Sequence, residues 1–247
     1  MDIRQFLDST YLKTAEQAGV KEDENKKVVK DTIAEAIDEN FKLVMIRPEM
    51  VRLAKEMITQ RGSKVAVGTV IDFPGGKGSL EQKINEAVTA IEDGADELDY
   101  VIDYQAFKAG NVQKVKTDVL ECTRLGLQHG RIVKWIIEVA ALNDHEIVQL
   151  SALVKNIVLT HFEESDYSKV FVKSSTGFYK TEDGKPNGAT VSSIKLMLEN
   201  AYPLPVKAAG GVRTLQEAQE MIALGVKRIG TSAAKTIALG GEGNNAY

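Results

Sequence analysis

The sequence predicts a single α/β domain folded as a closed (β/α)8 TIM barrel, and three observations predict it. The first is length: 247 residues is the usual size of one such barrel. The second is alternation, since short β-rich runs and longer amphipathic runs follow one another from end to end, as parallel strands joined by helical crossovers require. The third is continuity, because no low-complexity linker or composition shift divides the chain.

Eight strand–helix pairs can be read in order. Strands are expected at 6–9, 41–46, 64–71, 96–102, 131–139, 169–174, 205–208 and 227–230, and helices at 24–39, 48–60, 79–93, 111–129, 143–162, 189–199, 214–224 and 232–239. Several boundaries carry local signals. Asn143 with Glu146, and Thr214 with Glu217, have the spacing of a capping box. Pro48 opens a run where a first-turn proline is tolerated. Ala87, Ala90, Ile91 and Gly94 lie on one helical stripe, as do Ala218, Met221, Ile222 and Gly225, and both stripes belong to the core. An open doubly wound sheet uses the same alternation, but eight repeats in one undivided chain fit closure better. The tail 240–247, GGEGNNAY, is rich in glycine and expected to be mobile.

Composition excludes several function classes. Hydrophobic residues at 43% and charged residues at 27% describe an ordinary globular chain, and a net charge of −4 gives no basic excess for a nucleic-acid backbone. No dense Lys/Arg cluster marks a membrane surface, and no segment approaches the length of an apolar span. Neither nucleic acid nor membrane is therefore an expected partner. The N-terminus lacks a basic stretch followed by an apolar run, so the expected location is cytoplasmic. The single cysteine, Cys122, has no disulfide partner or zinc spacing and reads as a small buried hydrophobe within a helix.

Barrel enzymes work at the carboxyl ends of their strands. Three ionisable side chains stand there: Asp99 in DELDYVI, Lys173 in VFVKSST and Lys207 in PLPVKAAGG. Lysine is seldom buried without a partner or a task, so two lysines ending adjacent apolar strands are anomalous. Snorkelling to solvent is the ordinary explanation for one lysine and a weaker one for two. A normal lysine is only about 0.04% free amine at pH 7. Two ammonium groups about 6 Å apart at an effective dielectric of about 20 repel by about 2.8 kcal/mol, or about two pKa units. Desolvation adds about another unit or more, which together brings one amine near neutrality and makes it a nucleophile toward carbonyls. Asp99 can relay protons or pair with a lysine, and a carboxylate between two lysines does both.

A second constellation suits an anion. Ala209-Gly210-Gly211-Val212 and Ile229-Gly230-Thr231-Ser232 each precede a predicted helix after the last two strands, where bare amides and helix N-termini commonly hold phosphate. Ser232 offers a hydroxyl, and Arg213 offers charge or a rim salt bridge.

Taken in order, LDSTYLK (7–13), VGTVIDFP (67–74), GADELDYVI (94–102), FVKSSTGF (171–178), VKAAGGVRT (206–214) and RIGTSAAK (228–235) resemble the deoxyribose-phosphate aldolase family over essentially the whole chain. The resemblance implies a class I aldolase that reversibly cleaves 2-deoxy-D-ribose 5-phosphate to D-glyceraldehyde 3-phosphate and acetaldehyde, with no metal and no cofactor. By resemblance Lys173 forms the Schiff base, Lys207 perturbs it and joins proton transfer, and Asp99 is the proton relay. Gly177, Gly210, Gly211, Gly230 and Ser232 match the phosphate-binding set, and relatives are usually homodimers or homotetramers.

Three departures matter. The stretch 179–187 is longer than the family's usual connection, and its Lys180 and Lys185 form either a solvated turn or a lid. Met45 stands where many relatives have cysteine, and a thioether cannot add to an aldehyde. Tyr247 ends the chain, as in members whose tail tyrosine assists proton transfer. The runners-up are another phosphosugar aldolase or isomerase and a non-catalytic phosphate-binding barrel.

Overall fold

In the computed structural model, which describes residues 2–182 and 184–241, the eight strands close into one parallel barrel in chain order. The first half runs β1 (Leu7–Thr10), α1 (Ala15–Ala18), α2 (Glu22–Asp38), β2 (Leu43–Ile46), α3 (Val51–Gln60), β3 (Ala66–Ile71), α4 (Leu80–Glu92) and β4 (Glu97–Val101). The second runs α5 (Tyr104–Lys108), α6 (Val112–Gln128), β5 (Ile132–Ile136), α7 (Asp144–His161), α8 (Glu164–Tyr167), β6 (Val170–Lys173), α9 (Val191–Ala201), β7 (Val206–Ala209), α10 (Leu215–Leu224), β8 (Arg228–Thr231) and α11 (Ala234–Ala238). Closure comes from β1 against β8, with Leu7 opposite Ile229 and Ser9 opposite Thr231.

The helices begin where local chemistry lets them. Asn143 accepts from the Glu146 amide while Glu146 reaches back to the Asn143 amide, and Thr214 and Glu217 repeat the arrangement, so both expected capping boxes are present. Ser79 and Thr190 cap α4 and α9 likewise. Pro48 does not open an α-helix. It starts a short 3-10 turn, Pro48–Met50, and α3 begins only at Val51, because a residue without an N–H suits an entry turn rather than a hydrogen-bonded interior. Among the expected strands, 131–139 is the most overextended. It stops at Ile136 because Glu138 turns into the left-handed region at φ 60°.

Alternation along each strand sorts side chains to two environments. Outward residues such as Val44, Leu98, Trp135, Val172 and Ile229 pack with the helices into one large apolar cluster that also takes Cys122. Burial pushes the Cys122 thiol up to about 12, which makes it an inert hydrophobe. Inward residues divide. Leu43, Met45 and Val70 form an apolar wedge with Leu12, Phe73 and Phe178, whereas Asp8, Glu97, Asp99, Lys134, Lys173, Lys207 and Arg228 fill the remaining sector with charge. Among the described residues no helix is long and apolar enough to cross a membrane.

Candidate active site

Strand register brings the candidates together. Lys173 ends β6 directly opposite Lys207 on β7, and Asp99 on β4 is opposite Lys134 on β5. Asp99 Oδ2 accepts from Lys173 Nζ at 2.9 Å and from Lys207 Nζ at 3.0 Å, so one carboxylate oxygen holds both amines. Sharing it keeps the two nitrogens within the separation assumed for their repulsion. Lys173 is only 3% exposed, yet it forms part of the wall of an open cleft; Asp99 and Lys207 lie wholly buried beneath it.

The Lys173 amine falls to about 8. Burial is the main cause, Asp99 opposes it, and repulsion from Lys207 adds to the fall. The sequence-based ordering, with repulsion first and desolvation second, is therefore reversed. At pH 7 an amine of that acidity is roughly 9% free base, some 200-fold above an ordinary lysine. Burial alone would raise Asp99, but Lys134, Lys173 and Lys207 overcome it and hold the carboxyl well below the usual range. Asp99 is thus an anchored anion with the Lys173 amine 2.9 Å from it.

Sequence reasoning missed the third lysine. Lys134 is fully buried, with its Nζ 2.6 Å from Glu97 and 2.5 Å from Asp99 Oδ1. Burial works against its ammonium, but Asp99, Glu97 and Asp8 outweigh that and raise it. Its signal was the same anomaly, a lysine inside an apolar run, in IVKWII. Glu138 was missed as well. Just past β5, it accepts from the Thr176 amide at 3.2 Å and from the Thr176 hydroxyl, which in turn accepts from the Phe178 amide at 3.0 Å. Burial raises the Glu138 carboxyl. A non-glycine residue at φ 60° at this position is backbone strain next to the reactive strand.

The predicted anion set gathers in one place. Gly177, Gly210, Gly211, Gly230 and Ser232 line the same cleft as Lys173. Gly177, Gly210 and Gly211 have φ of 81°, 78° and 84°, and among the described residues none of their amides donates a hydrogen bond. At the start of α10, Glu217 accepts from the amides of Arg213 and Thr214 and donates its own amide to the Thr214 hydroxyl, and the five-residue α11 starts only at Ala234. Gly230 has a separate duty: a Cβ there would lie 3.1 Å from Lys207 Cε, so the glycine makes room for that lysine.

Of the long loop, Asn187 rather than Lys180 or Lys185 reaches the cleft, and both lysines are exposed. Its Nδ2 donates to Gly177 O at 3.3 Å, and Gly188 packs against the Gly210 backbone. Met45 is buried in the apolar wedge, its methyl filling the space over Gly68, and does not line the cleft. Tyr247 lies outside the described residues.

The chain matches the family model described as DeoC/LacD family aldolase over residues 12–235. It is 39% identical to a deoxyribose-phosphate aldolase of Thermococcus gammatolerans, over 97% of this chain and 96% of that one. It is 36% identical to a deoxyribose-phosphate aldolase of Staphylococcus haemolyticus, with full coverage of both. Among solved structures, the tetrameric deoxyribose phosphate aldolase of Aeropyrum pernix superposes with a TM-score of 0.73 at 27% identity, covering 96% of this chain and 89% of that one. With the matched segment spanning every strand from β2 to β8 and the lysine-bearing cleft among them, the chain belongs to the DeoC/LacD family of aldolases.

Proposed function

We propose that the protein is a class I aldolase that reversibly cleaves 2-deoxy-D-ribose 5-phosphate to D-glyceraldehyde 3-phosphate and acetaldehyde through a Schiff base on Lys173. The observation that carries the proposal is an amine lowered to about 8 at the edge of a cleft that also presents three glycine amides. The glycine amides and Ser232 take the phosphate, which leaves the aldehyde end of the open-chain sugar at Lys173. Relatives bearing the deoxyribose-phosphate aldolase name support this substrate.

The neutral amine attacks C1 and the resulting alkoxide takes up a proton. Loss of water then leaves an iminium, the electron sink for the next step. Removal of the C3 hydroxyl proton breaks the C2–C3 bond, and its electron pair becomes the enamine while glyceraldehyde 3-phosphate departs. Protonation at C2 and hydrolysis return acetaldehyde and the free amine. Asp99 and Lys207 serve these proton movements through water in the cleft, since neither lines it. Asp99 also offsets the iminium charge, which forms where Lys173 Nζ lies 2.9 Å from the carboxylate. Assembly as a homodimer or homotetramer in the cytoplasm belongs to the same reading, supported by the tetrameric Aeropyrum pernix relative.

Retro-aldol turnover of deoxyribose 5-phosphate by the wild type and by Lys173→Ala tests the assignment. Turnover in the wild type and its loss in the variant are expected. Full activity in Lys173→Ala overturns it.

A further inference from the structure

Seven ionisable side chains share the barrel interior, and six of them form a closed circuit. Arg228 reaches Asp8 at 2.6 and 2.7 Å and Glu97 at 3.0 and 3.2 Å. Lys134 continues from Glu97 at 2.6 Å to Asp99 at 2.5 Å. Lys207 then joins Asp99 at 3.0 Å to Asp8 at 2.6 Å, which closes the ring. Charge alternates all the way round, with three cations against three carboxylates. Lys173 stands outside the ring, attached only through Asp99.

Arg228 and Glu97 are the first residues of β8 and β4, at the opposite end of the strands from the cleft, and neither lines it. Buried ion pairs recover their desolvation cost with difficulty, so stability is a weak reason for placing two more charges there. Charge parity is a stronger one. We propose that Arg228 and Glu97 are positioning residues that complete a neutral ring, so that Lys173 becomes the one cation in the barrel without a carboxylate of its own and is the group that sheds its proton.

The inference rests on the reading of Lys173 as the Schiff-base amine and explains how its environment is balanced. The charged groups around Lys173 are Asp99 from β4, Lys134 from β5, Lys207 from β7 and Glu138 just beyond β5. None of them is itself substituted when Arg228 or Glu97 is replaced, although Lys134 loses its direct partner in Glu97→Gln. Glu97→Gln leaves the ring with one excess positive charge, which disfavours the Lys173 ammonium and moves its titration to lower pH. Arg228→Gln leaves an excess negative charge, which favours the ammonium and moves it to higher pH. For a unit charge about 10 Å away at an effective dielectric of about 20, each shift is about one pH unit.

The test is reductive ethylation of Lys173 by acetaldehyde and cyanoborohydride, followed by peptide mass spectrometry across the neutral and alkaline range. Expected are titration midpoints displaced in opposite directions in the two single variants and returned to the wild-type value in Glu97→Gln/Arg228→Gln. Displacement of both single variants to higher pH is the signature of mere loosening and water entry, and it overturns the proposal, as does no displacement. Absence of ethylation on Lys173 in the wild type refutes instead the Schiff-base reading. If a single variant does not fold, carbon-13 carboxyl spectra of the wild type decide. Asp8, which Arg228 and Lys207 hold below the usual carboxylate range, must stay ionised while Lys173 titrates, and uptake of a proton by it across that transition overturns the ring.

Discussion

Lys207→Met removes the ammonium that shares Asp99 with the reactive amine, at nearly constant side-chain length. Two like charges about 6 Å apart at an effective dielectric of about 20 contribute about 2.8 kcal/mol, or about two pKa units. Asp99 Oδ2, relieved of one of its two amines, binds the Lys173 ammonium more firmly, an effect of the same sign. The amine should therefore rise from about 8 toward about 10, and its free-base fraction at pH 7 should drop from roughly 9% to roughly 0.1%. The assay is kcat/KM for retro-aldol cleavage as a function of pH. A loss of about 100-fold at pH 7 that shrinks steadily as pH is raised toward 10 is expected. A loss equal at every pH would mean that Lys207 acts only in proton transfer and that like-charge repulsion plays no part.

Lys173→Met should stabilise the fold. The amine's folded value of about 8 lies below the ordinary 10.5, so below about pH 8 the native state holds a buried ammonium at a cost of about 3 kcal/mol, which fades as pH rises from 8 to 10.5. Urea unfolding should show the variant more stable at pH 7, with the gap closing by about pH 10.5; a less stable variant at neutral pH contradicts the burial argument. Gly210→Ala places a side chain at φ 78° with its Cβ 2.9 Å from Gly188 Cα, a strain of about 1–3 kcal/mol in the glycine-lined cleft proposed to take the phosphate. It should raise KM for deoxyribose 5-phosphate by about tenfold while leaving cleavage of unphosphorylated deoxyribose nearly unchanged. Met45→Cys places a thiol in the buried apolar wedge away from the cleft, so activity retained in concentrated acetaldehyde should match the wild type, and aldehyde adducts mapped to that position would contradict the burial argument.

The barrel was legible because its signals are local: alternation along the chain, the capping boxes at Asn143 and Thr214, and apolar stripes on the helices. Lys173, Lys207 and Asp99 were legible because charge inside an apolar run is conspicuous in a linear reading. What stayed hidden depends on register. Lys134 sat early in a run read as extending to 139, and only its pairing opposite Asp99 gives it meaning. Asp8 and Arg228 are 220 residues apart in the chain and adjacent in the barrel, across a closure that no window of sequence contains. Gly230 was read as a phosphate contact, whereas its missing Cβ is also what admits the Lys207 side chain. The capture of the Arg213 and Thr214 amides by Glu217 could have been inferred from the same spacing that predicted the capping box.

Borohydride reduction in the presence of acetaldehyde, with the adduct located by peptide mass spectrometry, tests the central claim most directly. A two-carbon adduct on Lys173, absent from Lys173→Ala and weakened at neutral pH in Lys207→Met, is the predicted result. An adduct on Lys134 or Lys207 with Lys173 unmodified, or no adduct at all, contradicts it.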